Sequence, residues 1–158
     1  LPKTAWPPTF QVAGLVAVNA CGNVVDHESH EMLAGIYDKK TQQVISTKDV
    51  LLKQMDQIRK LPDGNTTIGC IVTNVKLNKA QCTKLAGICH DGYARSIEPV
   101  HTMSDGDTIF VLSTNEVEGM VDAVGVLASE VTSMCIKRAI LKAESAYGLK
   151  AYSDLKNR

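Results

Sequence analysis

The sequence has few aromatic residues, no net charge and no long apolar run. Aromatic residues make up 4% of the 158 positions, with one Trp, which argues against stacking platforms for single-stranded nucleic acid. The chain has 17 Lys and Arg residues and 17 Asp and Glu residues, and the two signs balance both before and after residue 65. This balance excludes a basic nucleic-acid or membrane-surface module in either half. The longest uncharged apolar runs, 12–18 and 68–72, are strand-sized and fall short of the roughly 18–20 residues of a membrane span. We therefore expect a soluble domain without nucleic-acid or membrane partners.

The five cysteines are odd in number and show no CxxC spacing. This pattern favours free thiols, a reducing compartment and therefore a cytoplasmic location. The polar segment between Asp26 and Glu31 contains His27 and His30, which raises the question of a metal site. Its spacing lacks the i, i+4 histidine pair of a zinc-binding helix, so we expect a solvated turn and no metal.

With 44% hydrophobic and 22% charged residues, the chain has the composition of one globular domain. Apolar runs and capping residues predict three strands alternating with three helices, which favours a layered α/β fold. The strands are expected at Val12–Val18, Thr66–Thr73 and Asp107–Ser113, the first two buried on both faces, with a short extra pairing of Ile36-Tyr37 and Val44-Ile45. The helices are expected at Thr47–Lys60 with Ser46 as N-cap, at Lys79–Ile97 with Asn78 as N-cap, and from Glu116 to Ala146 with Gly148 as C-cap.

Polar residues stand at one end of each predicted strand. Asn19 follows the first strand, Asn65-Thr66-Thr67 begins the second, and Asp105-Gly106-Asp107 begins the third. Scaffolds often present functional side chains at such ends. The residue types alone leave other interpretations open: a backbone cap for Asn19, a loop-to-strand junction or glycosylation acceptor for the second segment, and a turn for the third.

Several separate segments carry a resemblance to one known family, in that family's order. They are Val12 to Asp26, Ala34 to Asp38, Gly64-Asn-Thr-Thr-Ile-Gly-Cys-Ile-Val-Thr-Asn74, Leu77-Asn-Lys-Ala-Gln81, His90-Asp-Gly-Tyr-Ala-Arg95, Pro99 to Phe110, and Ala139 to Leu155. Together they resemble the DmpA-type family of self-processing N-terminal-nucleophile hydrolases, peptidase family S58. The family includes L-aminopeptidase/D-esterases, β-peptidyl aminopeptidases and nylon-oligomer endo-amidases.

The resemblance implies a precursor that cuts itself between Asn65 and Thr66, with Thr66 as the nucleophile. Chemistry explains the residue type: the hydroxyl attacks the preceding carbonyl, the acyl group shifts from nitrogen to oxygen, and water releases the ester. The new α-amine, with a reference pKa of about 7.7–8.0, can then act as the general base, so that no histidine is required. Thr67 is the second candidate nucleophile.

The same resemblance assigns roles to three further side chains. Asn19 supplies a donor to the oxyanion. Asp105 and Asp107 match the acidic pair of the nylon-oligomer branch and hold the amine and hydroxyl of Thr66. No cofactor is implied.

The implied fold is an α-β-β-α sandwich, incomplete on its N-terminal side because the family's catalytic Lys or Tyr and its pocket residues precede Leu1. We expect residues 1–65 to end an α-chain and residues 66–158 to form a β-chain within one structural domain, with processed chains assembled as a homo-oligomer. The expected reaction is hydrolysis of amide bonds in small peptides, amino-acid amides or oligoamides. The alternatives are an N-acetyltransferase of the arginine-biosynthesis type, which has a similar fold, and a non-catalytic fragment.

Overall fold

A computed structural model describes residues 9–53 and 64–156 of the chain. Within those residues the elements follow in the order β1 Val12–Ala17, β2 Asn23–Val25, β3 Met32–Ala34, β4 Ile36–Asp38, β5 Gln43–Ile45, α1 Thr47–Lys53, β6 Ile68–Val75, α2 Lys79–Ser96, β7 Ile97–Glu98, β8 Thr108–Val117, α3 Val121–Lys142 and α4 Tyr152–Lys156. The predicted end of the first helix, at Lys60, lies outside the described residues. The mixture of helices and sheets confirms the α/β class.

The main sheet has the strand order β1-β6-β8 and carries two helices on one face. β1 runs antiparallel to β6, and β6 runs parallel to β8. The long helices α2 and α3 pack on each other and on this sheet. Gly14 allows the close approach of α3, because a Cβ there would lie 2.9 Å from Val131 and 3.2 Å from Cys135. Buried aliphatic residues such as Ile71, Leu85 and Val124 form the core between the sheet and the helices.

The opposite face of this sheet is apolar and exposed. Alternate residues of the three strands point there, and Leu15, Ile68, Phe110 and Leu112 are 77%, 48%, 58% and 54% exposed. We call these four residues the open sheet face. The expectation that the first two strands are buried on both faces is therefore wrong for this chain. An apolar run indicates that both faces of a strand could be buried, and the described residues cover only one face of these strands.

Local capping signals predicted two helix starts correctly. The Ser46 hydroxyl accepts from the Asp49 N–H at 3.1 Å, and Asn78 forms a reciprocal capping box with Gln81 at the start of α2. The predicted hairpin is also present, with Ile36 opposite Ile45 and Tyr37 opposite Val44.

The last predicted strand and helix needed correction. β8 continues to Val117, where it still pairs with Val75, so α3 begins at Val121 instead of Glu116. α3 ends at Lys142, and Gly148, with φ +78, lies in a short turn closed by the Ala146–Leu149 bridge instead of capping the helix. Pairing with a neighbouring strand therefore outweighs the helical pattern at residues 116 and 117.

The polar segment that follows β2 is anchored to α3. Lys137 Nζ lies 2.8 Å from Asp26 Oδ2 and 3.0 Å from Glu28 Oε2, while His27 Nε2 lies 3.4 Å from a carboxylate oxygen of Glu130. Hydrogen bonds from Lys137 and then from the Glu28 N–H lower the pKa of Asp26 to about 2. The predicted solvated turn is thus exposed at residues 28–31 but tied down at its start.

Candidate active site

The sheet brings the three polar strand ends together. The end of β1 meets the start of β6 because these strands are antiparallel, and the starts of β6 and β8 share one edge because those strands are parallel. Asn65 forms a parallel bridge with Asp105 just before the two strands begin. The site residues expected from the sequence therefore lie around the peptide bond between Asn65 and Thr66, and we call this cluster the strand-end site.

Three groups surround the Asn65–Thr66 peptide. The Thr66 hydroxyl donates to the Asn65 carbonyl oxygen at 2.6 Å. The backbone N–H of Gly106 donates to the same oxygen at 2.9 Å, and the Thr66 N–H donates to the backbone carbonyl of Asn19 at 2.9 Å. The Asn65 carbonyl oxygen thus accepts from a side-chain hydroxyl and from a backbone N–H, and a fixed backbone donor of this kind can stabilise an oxyanion.

Gly106 also makes room for the Thr66 side chain. A Cβ at this position would lie 2.7 Å from the Thr66 hydroxyl oxygen and 3.7 Å from the Thr66 Cβ and Cγ2. Any side chain at position 106 would therefore crowd the hydroxyl.

Asn19 contacts residues 64–66 twice, once through its backbone and once through its side chain. Its carbonyl binds the Thr66 N–H, and its side-chain amide donates to the Gly64 carbonyl at 3.1 Å. The amide thus binds the carbonyl one residue before that of Asn65. The oxyanion role expected of Asn19 stays a prediction.

The two aspartates differ in what they bind. Asp107 has a side chain only 4% exposed, and its Oδ1 accepts from the Thr67 N–H at 2.9 Å. Asp105 Oδ2 accepts from the backbone and the hydroxyl of Thr102 at 2.9 and 2.8 Å. Asp107 thus binds the backbone of the residue after Thr66 directly, whereas Asp105 closes its own turn as well as bridging to Asn65.

Tyr93, His101 and Gly106 belong to the same site, although the sequence patterns did not single them out. The Tyr93 hydroxyl, fully buried, lies 3.3 Å from the Thr67 carbonyl oxygen, and burial raises the pKa of Tyr93 well above its usual range. His101 Nδ1 lies 3.0 Å from Asp107 Oδ2. A Gly between two acidic residues is the one local signal that could have pointed to position 106.

The chemistry of the strand-end site rests on hydroxyl, amide and carboxylate groups. Across residues 9–53 and 64–156, no group of three or more His, Cys, Asp or Glu side chains is arranged to hold a metal ion. The five cysteines are free thiols. No helix in the described ranges is long and apolar enough to cross a membrane.

A groove of about 710 Å³ lies between the β4–β5 hairpin and the C-terminal segment, with Tyr37, Ile140 and Leu149 among its walls. None of its lining residues belongs to the strand-end site.

Comparison with known proteins assigns the chain to a family. The sequence profile of peptidase family S58 matches residues 4–153. An uncharacterized aminopeptidase of Mycobacterium leprae is 32% identical over an alignment 161 residues long, which covers 91% of this chain and 44% of that protein. An uncharacterized aminopeptidase of Mycobacterium bovis is 31% identical over 91% of this chain and 47% of its own length. A 6-aminohexanoate-oligomer endohydrolase of Paenarthrobacter ureafaciens is 31% identical over 68% of this chain and 31% of its own length.

The chain thus spans less than half the length of these relatives. The profile match covers nearly all of it, including every residue of the strand-end site. The chain belongs to peptidase family S58.

Proposed function

We propose that this chain is the nucleophile-bearing part of a self-processing amidohydrolase, with Thr66 as the N-terminal nucleophile. The observation that carries the proposal is the contact set on the Asn65 carbonyl oxygen: the Thr66 hydroxyl at 2.6 Å and the Gly106 N–H at 2.9 Å. These contacts keep the hydroxyl beside the carbonyl group and put a donor on its oxygen, which supports intramolecular attack with the oxyanion donor already in place.

The cut follows from this arrangement in two steps. Thr66 Oγ1 adds to the Asn65 carbonyl carbon, and Gly106 N–H stabilises the charge on the carbonyl oxygen. Collapse breaks the C–N bond, the Thr66 nitrogen takes up the proton that the hydroxyl released on addition, and the acyl group is left as an ester on Oγ1. Water then hydrolyses the ester, which gives a carboxylate on Asn65 and a free α-amine and hydroxyl on Thr66.

The same groups serve the processed enzyme. The Asn19 carbonyl, which binds the Thr66 nitrogen at 2.9 Å before the cut, is placed to keep the new amine beside its own hydroxyl. An α-amine with a reference pKa of about 7.7–8.0 can take the hydroxyl proton near neutral pH. Once the Asn65 carbonyl has left, the Gly106 N–H and the Asn19 side-chain amide are the donors available to a substrate carbonyl, while Asp105 and Asp107 stabilise the ammonium form.

Thr66 is better placed than Thr67 for this role. The Thr67 hydroxyl is fully buried and has no hydrogen-bond partner among the described residues. The Thr67 backbone is held on both sides, with its N–H on Asp107 and its carbonyl accepting from the Thr108 N–H at 3.0 Å. A residue held in this way supports the nucleophile next to it.

The open sheet face supports the finer fold that we propose, an α-β-β-α sandwich. An apolar sheet face of this kind needs a second layer, and the relatives contain more than half of their length outside the matched region. We propose that this further part of the precursor supplies the second sheet and the pocket walls. The substrates proposed are small peptides, amino-acid amides or oligoamides, and the processed chains are proposed to form a homo-oligomer in the cytoplasm.

Intact-mass measurement of the full precursor tests the function. The wild type should give two pieces, the second beginning at Thr66. Thr66→Val keeps the side-chain shape but removes the hydroxyl, and it should abolish both the cut and amide hydrolysis, whereas Thr66→Ser should retain both. Thr67→Val is the matched control and should still be cut.

Substrate class is then tested with para-nitroanilides of L-, D- and β-amino acids and with 6-aminohexanoate oligomers, the class named for the Paenarthrobacter relative. A wild-type protein that remains whole while it hydrolyses these amides would refute the self-processing mechanism. Acetyl transfer without hydrolysis would favour the acetyltransferase alternative.

A further inference from the structure

The buried carboxylate of Asp107 joins the nucleophile segment to a histidine. Its Oδ1 accepts from the Thr67 N–H at 2.9 Å, and its Oδ2 lies 3.0 Å from His101 Nδ1. Among the described residues, Oδ2 makes no hydrogen bond of conventional geometry, and His101 Nδ1 lies close enough to supply one. A buried carboxylate oxygen without a donor is strongly unfavourable, and a proton on Nδ1 of His101 would provide that donor.

The surroundings hold the His101 ring in this orientation. Its backbone has φ 55, in the left-handed region, and its ring packs edge-on against His90 with centroids 4.8 Å apart. Burial lowers the pKa of His90, and the charge of a protonated His101 would lower it further. On α2, His90 interacts electrostatically with both His101 and Asp107, Tyr93 with Asp107, and Asp91 with His90.

We propose that His101 is a positioning residue, which donates from Nδ1 to Asp107 and so keeps that carboxylate on the Thr67 N–H, one residue after the nucleophile. The proposal rests on the proposed function of Thr66. His101 does not touch the reacting atoms, and it acts through Asp107. The self-processing chemistry needs no histidine as a base, so this role is separate from proton transfer at the hydroxyl.

Two substitutions separate hydrogen bonding from packing. His101→Asn removes the ring but places an amide N–H where Nδ1 was, and Asn tolerates a left-handed backbone. His101→Gly tolerates the same backbone and has no donor. The pair therefore differs mainly in the hydrogen bond to Asp107.

The readout is kcat for the processed full-length enzyme, on whichever amino-acid para-nitroanilide the wild type hydrolyses. We expect His101→Gly to lower kcat at least tenfold, because the Asp107 carboxylate loses the donor that keeps it on the Thr67 N–H. His101→Asn should bring kcat to within about threefold of wild type. If the Gly variant does not fold, the proton measurement on the uncut precursor decides the proposal.

A spectroscopic measurement tests the proton directly. In the uncut Thr66→Val precursor, a long-range ¹H–¹⁵N correlation spectrum should show that Nδ1 of His101 is protonated. An unprotonated Nδ1, or an Asn variant as impaired as the Gly variant, would overturn the positioning role. If instead the wild type is not cut or Thr66→Val still hydrolyses amides, the function itself fails and the proton assignment stands as a separate result.

Discussion

The substitution Gly106→Ala tests the strand-end site at the smallest scale, that of one methyl group. The added Cβ would lie 2.7 Å from the Thr66 hydroxyl oxygen, which is shorter than the van der Waals contact distance between a carbon and an oxygen. Either the Thr66 side chain turns away from the Asn65 carbonyl, or the backbone at residue 106 moves and lengthens its 2.9 Å hydrogen bond to that carbonyl. Both responses disturb the arrangement on which the cut depends.

The expected magnitude follows from which group moves. Turning a side chain about 30° from its rotamer costs roughly 0.5–1.5 kcal/mol, and losing one oxyanion donor costs about 2.7–4 kcal/mol. With about 1.36 kcal/mol for each factor of ten in rate, the first response slows the cut roughly 2- to 13-fold and the second roughly 100- to 900-fold. We expect self-cleavage of Gly106→Ala to be slowed within this combined range.

The assay follows the uncut fraction with time after cell-free synthesis of the full precursor, by gel and intact mass. Gly87→Ala is the control: a Cβ there meets nothing within 4 Å, and in a helix interior the change should raise stability by about 0.5–1 kcal/mol without affecting the cut. A folded Gly106→Ala precursor that is cut at the wild-type rate would refute our account of the Gly106 position.

Two further predictions concern parts of the molecule away from the nucleophile. Phe110→Glu, on the open sheet face, should change the unfolding free energy of residues 1–158 by less than about 0.5 kcal/mol, because an exposed site tolerates it. In the full precursor the same substitution should lower the unfolding free energy by at least about 1.5–3 kcal/mol. Equal results for both proteins in urea unfolding would contradict a second layer on this face. Lys137→Gln removes the partner that lowers the pKa of Asp26 from 3.8 to about 2. A carboxyl group whose pKa is lower in the folded than in the unfolded chain stabilises the fold above its unfolded pKa, and this stabilisation is lost as pH falls through the folded pKa. The difference in unfolding free energy between wild type and variant should therefore shrink from pH 6 to pH 2. A constant difference would contradict this coupling.

Local signals predicted the parts of the fold that depend on neighbouring residues. The Ser46 and Asn78 caps sit where the sequence placed them, because a cap needs only three or four consecutive residues. Strands β2, β3 and β7 have three, three and two residues, and β2 pairs with Ile97 and Glu98, far along the chain. No pattern within so short a segment reveals a partner at that distance.

The site was predictable in position but only partly in its contacts. The polar side chains marked the strand ends in the sequence, and the strand directions in the structure bring Asn19, Thr66 and Asp107 to one edge. Two contacts on the Asn65–Thr66 peptide come instead from the backbone, the Gly106 N–H and the Asn19 carbonyl. Nearly every residue carries the same backbone groups, so a sequence records such contacts only indirectly, as the Gly between two acidic residues does at position 106.

The antiparallel pairing of β1 with β6 has a consequence for the life of the protein after the proposed cut. β1 would then belong to one polypeptide and β6 to the other, so the main sheet would be shared between two molecules although it formed within one. The first folding would be unimolecular, whereas any refolding after denaturation would require two partners to meet and would depend on their concentration. The native structure of the processed enzyme would then form far more readily from the uncut chain than from its separated pieces.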